Sequence, residues 1–333
     1  MADSITFSII IPVKPGGTVR ALDRLRSVAY PSSHMEVLVA EGTRPSRQRN
    51  QAAAAAAGEM LYFLDDDSLT SPDFLARAAA HLADPSVAAV GGPSLTPASD
   101  SRFQRAIGVV LASRLGGGGA RNRYRATGSP RRTSERELIL CNLAMRRDVF
   151  LAEGGLDERL YPNEENELMD RISKRGMGLV HDPDLAVRRS QRSTFRAFVR
   201  QFFGYGRGRG EQTRIAGVRS VVDFLPTVFL IYLLLLPVAP WAPCFLPAAL
   251  YGAAVMVSAL SGAVRSRLYA ALPWLVVLYP TLHLCYGAGL LKGLLTPRFR
   301  SEAGETAAVT IRCIKEFGAP WHLPAHGTGE VPQ

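Results

Sequence analysis

Cysteine and histidine are scarce in this chain of 333 residues, and their pattern excludes several kinds of site. No CxxC pair occurs among the four cysteines, which are Cys141, Cys244, Cys285 and Cys313, and the six histidines are scattered, with a single HxxxH spacing at His322 and His326. We therefore expect neither a disulfide framework nor a zinc site, and a reducing compartment fits. Met1–Ser8 also lacks a basic stretch followed by a long apolar core. No cleavable signal peptide is predicted, so the soluble part is expected to stay in the cytoplasm.

Charged residues are nearly absent between Val221 and Leu291, whereas most charges precede Arg219. This stretch divides into three apolar segments, Val221–Trp241, Cys244–Val264 and Leu268–Leu291. Each is about long enough to cross a ~30 Å hydrocarbon core as a helix, which takes roughly 20 residues. The sequence therefore predicts a head over residues 1–218, transmembrane helices within 219–295, and a tail over 296–333. We expect a multi-pass protein of the plasma (inner) membrane.

Basic residues flank all three apolar segments. Besides the arginines that precede the first segment, they are Arg265, Arg267, Lys292, Arg298 and Arg300. Because basic flanks favour the cytoplasmic side, all of these flanks should be cytoplasmic. Three crossings cannot satisfy that expectation, because they place the chain before the first segment and the chain after the third on opposite sides of the membrane. Either the third segment, which contains Pro273 and Pro280, re-enters the membrane, or the tail lies outside.

The net charge of +10 predicts an anionic partner, and nucleic acid, anionic lipid and phosphorylated substrates all fit it. No nucleic-acid-binding motif occurs, so nucleic acid is not an expected partner. Arginines cluster around 187–209, where a helix is predicted with an apolar face at Phe195, Phe198, Val199, Phe202 and Phe203. A helix that is apolar on one side and basic on the other suits a membrane surface. Membrane lipid is therefore an expected partner.

Strands and helices alternate along the head. The predicted strands are Phe7–Val13, Glu36–Ala40, Met60–Leu64 and Val87–Val90, and the predicted helices are Val19–Ala29, Pro45–Ala57 and Asp73–Leu82. This order predicts an α/β fold with a mostly parallel sheet, whose ligands bind beyond the carboxyl ends of the strands. The arginine-rich segment Arg114–Arg136 is interpreted as a mobile basic loop. Its glycine run, Gly116–Gly119, is only weak support for a phosphate cradle.

Three acids follow the predicted third strand directly. Because side chains alternate along an extended chain, Asp65 and Asp67 should point the same way. Two carboxylates on one side favour a cation between them, and Mg²⁺ or Mn²⁺ prefers such oxygen ligands together with substrate phosphates. An acidic turn that caps the next helix is the simpler alternative. Haloacid-dehalogenase-type phosphatases also have an aspartate after an apolar strand, in a DxDx[TV] motif, but here the fifth position is Leu69 and the strand is the third.

Four elements, taken in order, resemble the family 2 glycosyltransferases, especially the membrane-bound branch of succinoglycan-type exopolysaccharide synthesis. They are SIIIPV at Ser8–Val13, RQRN at Arg47–Asn50 before YFLDDD, GGLDERLYPNEENELMDRI at Gly154–Ile172, and RQFFGYGRGR at Arg200–Arg209. The resemblance covers nearly the whole head. It implies a Rossmann-like sheet of the GT-A type that binds a nucleotide-sugar, followed by membrane helices.

The resemblance also implies roles for individual residues. The implied donor-binding set is Pro12, Val13, Glu41, Arg49, Asn50, Asp65 and Asp66, with Asp65 and Asp67 matching the metal-binding DxD motif. Glu165 matches the general base, with its neighbour Glu164 as the alternative. Gln201, Arg207 and Arg209 match the element that contacts diphosphate or acceptor, although the tryptophan typical of that element is absent.

The implied reaction is a single displacement with inversion, dependent on Mg²⁺ or Mn²⁺. It transfers a sugar from a nucleotide-sugar, expected to be a UDP-sugar, to a hydroxyl of a saccharide or polyprenyl-linked acceptor. Two other hypotheses stay open at this point. One is a membrane-anchored phosphohydrolase with Asp65 as nucleophile, and the other is a non-catalytic scaffold with a degenerate transferase head.

Overall fold

The head is built on an eight-stranded mixed sheet. A computed structural model describes residues 5–238, 241–299 and 308–321. The sheet strands are β1 Phe7–Val13, β2 Met35–Glu41, β3 Met60–Leu64, β4 Val87–Gly91, β6 Arg131–Thr133, β7 Asn142–Arg146, β8 Gly178–His181 and β10 Thr310–Lys315; β5 Ser94–Leu95 and β9 Val187–Arg188 pair separately. The spatial order in the sheet is β10-β2-β1-β3-β7-β4-β8-β6.

The neighbouring strands β2, β1 and β3 are parallel and almost wholly buried, whereas β7 pairs antiparallel with β3 and β4. β1 pairs in parallel with both β2 and β3, and every residue of β1 is buried. This explains its run of apolar residues, since a strand covered on both faces needs no polar alternation. Parallel pairing brings the carboxyl ends of these strands, Val13, Glu41 and Leu64, to one edge of the sheet. The predicted α/β class is thereby confirmed, and this edge is where a ligand should bind.

The helices of the head follow the predicted order but not always the predicted lengths. They are α1 Ala21–Leu25, α2 Pro45–Ala55, α3 Phe74–Leu82, α4 Arg102–Ala112, α5 Arg114–Gly117, α6 Arg147–Ala152, α7 Glu164–Lys174 and α8 Phe195–Ala216. The helix predicted over Val19–Ala29 is much shorter because tertiary bonds hold its ends. The amide of Ala21 donates to Asp66 O, and that of Ala29 donates to Pro72 O.

The interpretation of Arg114–Arg136 as a mobile loop is wrong. The segment contains α5, a 3₁₀ stretch over Gly118–Tyr124, and β6, which pairs antiparallel with β8. It holds its shape with few apolar residues because arginine side chains bond to backbone carbonyls. Arg123 Nε, for example, donates to Arg136 O over 2.7 Å.

Helix α8 differs from the predicted surface helix over 187–209. Residues Val187–Arg188 form β9, and the helix begins at Phe195. Phe198 and Phe202 are buried in a core shared with the C-terminal helices, whereas Phe195 and Phe203 stay exposed. Much of the apolar face therefore packs against protein, which corrects the expectation that it faces lipid.

Three C-terminal helical segments are long and apolar enough to cross a membrane, namely Val221–Val238, Ala242–Ser266 and Tyr269–Leu295. They contain helices α9 Leu225–Leu235, α10 Leu246–Ser266 and α11 Leu272–Leu295. The end of the first predicted segment includes residues 239 and 240, which lie outside the described residues. Most of the predicted tail, at 300–307 and 322–333, also lies outside them, but the part near Val309–Phe317 contains β10.

Glycines bring α8 and α11 into backbone contact. A Cβ on Gly206 would overlap Tyr286 O, and one on Gly289 would overlap Phe203 O. A Cβ on Gly210 or Gly293 would likewise overlap a carbonyl oxygen of the opposite helix. The close approach therefore depends on the absence of side chains at these positions, as it does in small-residue helix interfaces generally.

We predict that Gly206→Ala lowers the free energy of unfolding by about 1–3 kcal/mol, because the new methyl group forces the two helices apart. Gly204→Ala is the matched control, since a Cβ there meets nothing within 4 Å. That variant should be neutral or slightly stabilising, by about 0.5–1 kcal/mol at most. Thermal unfolding of the detergent-solubilised full chain measures both. Equal midpoints for the two variants would contradict this packing.

Candidate active site

The three acids after β3 lie in a tight turn at the carboxyl edge of the sheet. The amide of Ser68 donates to Asp65 O, and the Asp65 amide donates to Ser68 Oγ over 3.2 Å. Ser68 Oγ in turn donates to Cys141 O over 3.0 Å. The turn is thus anchored to the segment that leads into β7, and the acids keep a defined direction at the strand end.

Arg189 bridges the first and third acids. Its Nη2 lies 3.1 Å from Asp65 Oδ2, and its Nε donates to Asp67 Oδ1 over 2.7 Å. A local pairing brings the arginine there, because the residue before it, Arg188, exchanges two backbone hydrogen bonds with Leu69. The carboxylates of Asp65 and Asp67 therefore converge on one guanidinium, although these residues lie in a turn and not along the extended chain for which alternation was predicted.

The charges in this cluster are strongly coupled. Burial acts to raise the pKa of Asp65, but Arg189 and Arg49 outweigh it and hold this pKa below its ordinary value. Burial acts to lower the pKa of Arg189, but Asp65 and Asp67 hold it well above its ordinary value. Burial, followed by the charges of Asp67 and Asp65, raises the pKa of Asp66. The Asp65 carboxylate and the Arg189 guanidinium are accordingly both ionised at neutral pH.

A divalent cation would fit beside Asp65 and Asp67. Two carboxylates that converge on one cation offer the hard oxygen ligands that Mg²⁺ and Mn²⁺ prefer. No group of three or more His, Cys, Asp or Glu residues able to hold a metal occurs within the described part of the chain. A metal here would thus have two protein carboxylates, and the rest of its shell would come from substrate phosphates and water. The residues fit such a metal.

Arg49 of α2 connects the acidic turn to the second predicted cluster. Its Nη2 donates to Asp65 Oδ1 over 2.6 Å, and its Nη1 lies 4.0 Å from Glu164 Oε1. The Arg49 side chain is 6% exposed and that of Glu164 is 4% exposed, so solvent screens this link weakly. Asp65 and Glu164 thus share the guanidinium of Arg49, although they lie 99 positions apart in the sequence.

The second cluster lies at the start of α7. Asn163 precedes the helix with a φ of 89°, and its side chain makes no capping hydrogen bond. Asn163 Oδ1 instead accepts from Asn166 Nδ2 over 2.9 Å. Glu164 is buried, whereas Glu165 is partly exposed and lies 3.8 Å from Arg123 Nη1. The two glutamates thus have different cationic partners.

Arg123 belongs to the segment that was interpreted as a mobile loop. Besides Glu165, it contacts the Asn166 side chain and the backbone of Glu135 and Arg136. These bonds fix the guanidinium beside the Glu165 carboxylate. Arg123 is therefore a residue of the site that the sequence interpretation did not identify.

Asn50 has a different position from its neighbour Arg49. Its Nδ2 donates to Leu156 O and its Oδ1 accepts from the Leu156 amide, each over 2.9 Å. Gly155 can lie this close only because it lacks a Cβ, which would overlap Asn50 Oδ1. Asn50 therefore ties α2 to the segment that leads to Glu164, and of this pair it is Arg49 that faces the acids.

The ends of β1 and β2 complete the sheet edge. Pro12 and Val13 are buried, and Val13 O accepts from Gln48 Nε2 over 2.8 Å. Glu41 Oε1 accepts from the Gly16 amide over 3.3 Å, and Glu41 Oε2 lies 3.4 Å from Arg312 of β10. The turn after β1 is thus joined to the end of β2, on the same edge of the sheet as Asp65.

Helix α8 contributes a polar wall beside Arg189. A pocket is lined by Tyr124, Arg189, Arg192, Gln201 and Tyr205, among others. Gln201 Nε2 donates to Tyr205 OH over 2.8 Å, and Arg192 Nε donates to Gln201 Oε1 over 3.3 Å. Gln201 therefore lies near the acidic turn, with Arg189 and Arg192 between them. The sequence interpretation did not identify these two arginines as site residues.

The two other predicted residues of α8 lie elsewhere. Arg207 Nη2 donates to Tyr161 O over 3.1 Å, so it braces the backbone just before Glu164. Arg209 donates to Gln212 Oε1 over 3.0 Å and lies 3.8 Å from Asp223, at the start of the first apolar segment. These contacts link α8 to the start of α7 at Arg207 and to the first apolar segment at Arg209.

Comparisons with known proteins agree with this architecture. A family model described as glycosyl transferase family group 2 matches residues 60–284. The succinoglycan biosynthesis protein ExoA of Rhizobium meliloti (strain 1021) is 28% identical over 204 residues, a match that covers 60% of this chain and 59% of ExoA. The mannosyltransferase PcManGT of Pyrobaculum calidifontis, solved in complex with GDP-Man and Mn²⁺, superposes with a TM-score of 0.53 at 18% identity, over 87% of each chain.

The solved structure supports the fold, and the predicted GT-A-type head is confirmed. The family model covers the acidic turn, the start of α7 and the whole of α8. By that match, the chain belongs to glycosyl transferase family group 2.

Proposed function

We propose that this protein is a membrane-anchored, inverting glycosyltransferase that moves a sugar from a nucleotide-sugar to an acceptor hydroxyl. The observation that carries the proposal is the chain of contacts from Arg189 through Asp65 and Arg49 to Glu164. It joins a site for a diphosphate and cation to a carboxylate that can accept a proton. Family membership supports the transferase chemistry.

The donor is proposed to lie along the carboxyl edge of β1, β2 and β3. The ends of these strands, at Pro12, Val13 and Glu41, would border the nucleoside, and Asp65 and Asp66 would lie at the diphosphate. Asp65 and Asp67 would hold Mg²⁺ or Mn²⁺, which when bound neutralises charge on the diphosphate leaving group. Arg189 and Arg192 supply fixed positive charge beside the same position. The expected donor is a UDP-sugar, although the solved relative was crystallised with GDP-Man.

The base is proposed to be Glu165, with Glu164 as the alternative. The acceptor oxygen attacks the anomeric carbon while the carboxylate takes its proton, and the bond to the diphosphate breaks on the opposite side. This displacement inverts the anomeric configuration. Glu165 suits the role because it is partly exposed and can reach an acceptor, and Arg123 holds its direction. Glu164, which is buried beside Arg49, suits a supporting role at the donor.

The acceptor is proposed to be a saccharide or a polyprenyl-linked sugar at the surface of the plasma membrane. Helix α8 supports this choice because it touches the segment before Glu164 through Arg207 and packs on the apolar α11 through its glycines. An acceptor with a lipid anchor could therefore reach the site from the bilayer. Cell-surface polysaccharide synthesis is the expected process, and the similarity to ExoA, a succinoglycan biosynthesis protein, supports it.

The phosphohydrolase hypothesis is less well supported. A nucleophilic aspartate must present a free oxygen to phosphorus. In this chain Asp65 Oδ1 accepts from Arg49, while its Oδ2 pairs with Arg189. Both oxygens are therefore already held by cations, which suits a ligand-binding carboxylate better than a nucleophile.

We predict that Asp67→Asn lowers kcat by at least about 100-fold, the size of effect expected when one electrostatic group at a reacting centre is lost. Asp148→Asn removes the same charge from an exposed position and should leave activity unchanged. The assay is transfer or hydrolysis of a nucleotide-sugar by membranes that contain the full chain, with Mn²⁺ present. Equal rates for both variants would remove Asp67 from the site.

The two glutamates are expected to differ in which kinetic constant they control. Glu165→Gln should lower kcat by about 10²–10⁴-fold and leave the KM for donor nearly constant, since a base acts only in the chemical step. Glu164→Gln should mainly raise the KM for donor, because Glu164 touches Arg49, which holds Asp65. Steady-state kinetics over a range of donor concentrations separates the two. The reverse pattern would make Glu164 the base.

Arg189→Gln is predicted to raise the affinity for Mn²⁺ without nucleotide by about tenfold or more, since a unit charge that competes for the same carboxylates is removed. The same variant should bind a nucleoside diphosphate more weakly. Arg188→Gln is the control, because Arg188 is exposed and only its backbone bonds to Leu69. Titration of free Mn²⁺ by electron paramagnetic resonance measures the first effect. An unchanged Mn²⁺ affinity would show that Arg189 and the metal do not share a position.

A further inference from the structure

The strand that follows the apolar helices lies beside the proposed donor site. β10 forms an edge of the sheet and pairs antiparallel with β2, from Thr310 opposite Glu41 to Lys315 opposite Val37. Glu41 is the last residue of β2, and the donor is proposed to bind where β2 ends. β10 also lies outside residues 60–284, which the family model matches. Any contribution of β10 to the site is therefore a property of this chain that the family match does not cover.

Buried contacts at the other end of β10 fix its position. Lys315 is buried, and its Nζ donates to three carbonyl oxygens, those of Ser32 over 2.8 Å, Met35 over 3.1 Å and Glu316 over 3.0 Å. Ile314 packs in the same core cluster as residues of β1 and β2. β10 is thus anchored where β2 begins, and its side chains keep a defined register along β2.

This register places Arg312 next to Glu41. Directly opposite residues of an antiparallel pair project to the same face, and so does every second residue along a strand. Arg312 is opposite Val39, so it shares a face with Glu41, two residues further along β2. A long side chain can reach such a diagonal neighbour. Arg312 Nη2 indeed lies 3.4 Å from Glu41 Oε2.

The Glu41 carboxylate is held from two sides. Its Oε1 accepts from the amide of Gly16, in the turn after β1, over 3.3 Å, while its Oε2 faces Arg312. The Glu41 side chain is still 28% exposed. Because a carboxylate has about four lone-pair sites, two remain for the hydroxyl or N–H groups of a nucleoside. A donor would thus meet a carboxylate that is already oriented.

β10 also touches the turn that follows β2. A Cβ on Gly42 would lie 3.5 Å from Val309 Cγ2 and 3.1 Å from the Gln48 side chain. Gln48 Nε2 in turn donates to Val13 O over 2.8 Å and to Ala40 O. The chain just before β10, the turn after β2 and the end of β1 are therefore packed together around the residues proposed to border the nucleoside.

We infer that Arg312 is a positioning residue of the donor site, which holds the Glu41 carboxylate in the direction that the nucleoside requires. The inference rests on the donor position proposed above. Without Arg312, donor binding would have to order a freer side chain, which lowers affinity. The Arg312 side chain is 48% exposed, and an ion pair of this kind contributes little to the stability of a fold. Loss of the pair should therefore weaken donor binding and leave folding intact.

Equilibrium binding of UDP and GDP to the purified full chain in detergent, with Mn²⁺ present, tests this inference. Arg312→Gln should weaken binding of the preferred nucleoside diphosphate by about two- to tenfold, the loss expected when one more side chain is immobilised on binding. Arg312→Lys keeps the charge and should retain most of the affinity. Arg132→Gln is the matched control, because Arg132 lies on the opposite edge strand β6, is 57% exposed and is 3.6 Å from Asp84. It should bind like the wild type, and all variants should unfold at the same temperature.

A double variant tests whether Arg312 acts through Glu41. Glu41→Gln alone should weaken nucleoside diphosphate binding by about tenfold or more, since a hydrogen bond to a charged group is lost. Adding Arg312→Gln to Glu41→Gln should cause no further loss, because the two residues act as one unit. Inorganic pyrophosphate, which lacks a nucleoside, should bind to every variant as it does to the wild type.

Equal affinities of the wild type and Arg312→Gln for the nucleoside diphosphate would overturn the inference. So would a loss that adds to that of Glu41→Gln, or an equal loss for pyrophosphate, since both indicate a general effect of charge. A lower unfolding temperature for Arg312→Gln would assign the residue to stability instead. A wild type that binds no nucleoside diphosphate contradicts the proposed function as well, whereas binding that ignores Arg312 contradicts only the role of this arginine.

Discussion

The neutralisation of Asp65 by two arginines is the interaction on which the rest of the site depends. A carboxylate at the end of a buried strand is costly unless it is paired. Arg49 and Arg189 pair it from two directions, and each arginine also reaches a second acid, Glu164 or Asp67. The acidic turn after β3 and the start of α7 are thereby held together by charge. Loss of one arginine would leave a buried carboxylate partly unpaired, which usually costs more than the pair itself contributes.

This arrangement also suits a transferase whose donor is negatively charged. The leaving diphosphate must be stabilised as it gains charge, and fixed cations are most effective where water is largely excluded. Arg189 already occupies a position between the two aspartates. Before a donor binds, the charges of Asp65 and Asp67 are balanced by Arg189. If a metal bound with the donor and took over these two carboxylates, the guanidinium of Arg189 would be free to pair with the diphosphate.

The sequence predicted those parts of the site that depend on local order. β3 was predicted with its observed bounds, because an apolar strand that runs into three acids is a strong local signal. Arg189 and Arg123 were not identified, because their contacts depend on the pairing of Arg188 with Leu69 and on the folding of the segment around Tyr124. In a stretch with many arginines, the local sequence does not show which arginine contacts the site. Tertiary contacts also explain why the helix predicted over Val19–Ala29 is shorter than expected. The pairing of β10 with β2 was not predicted either, because it joins residues far apart in the sequence.

The most direct test of the central claim is equilibrium binding of nucleoside diphosphates to the purified full chain in detergent, with Mn²⁺ and then with a chelator. The account predicts that UDP binds in the presence of Mn²⁺ and that the chelator weakens this binding by at least about tenfold, since metal and diphosphate complete each other's coordination at Asp65 and Asp67. Absence of binding for every nucleoside diphosphate, or an affinity unaffected by the chelator, would contradict it.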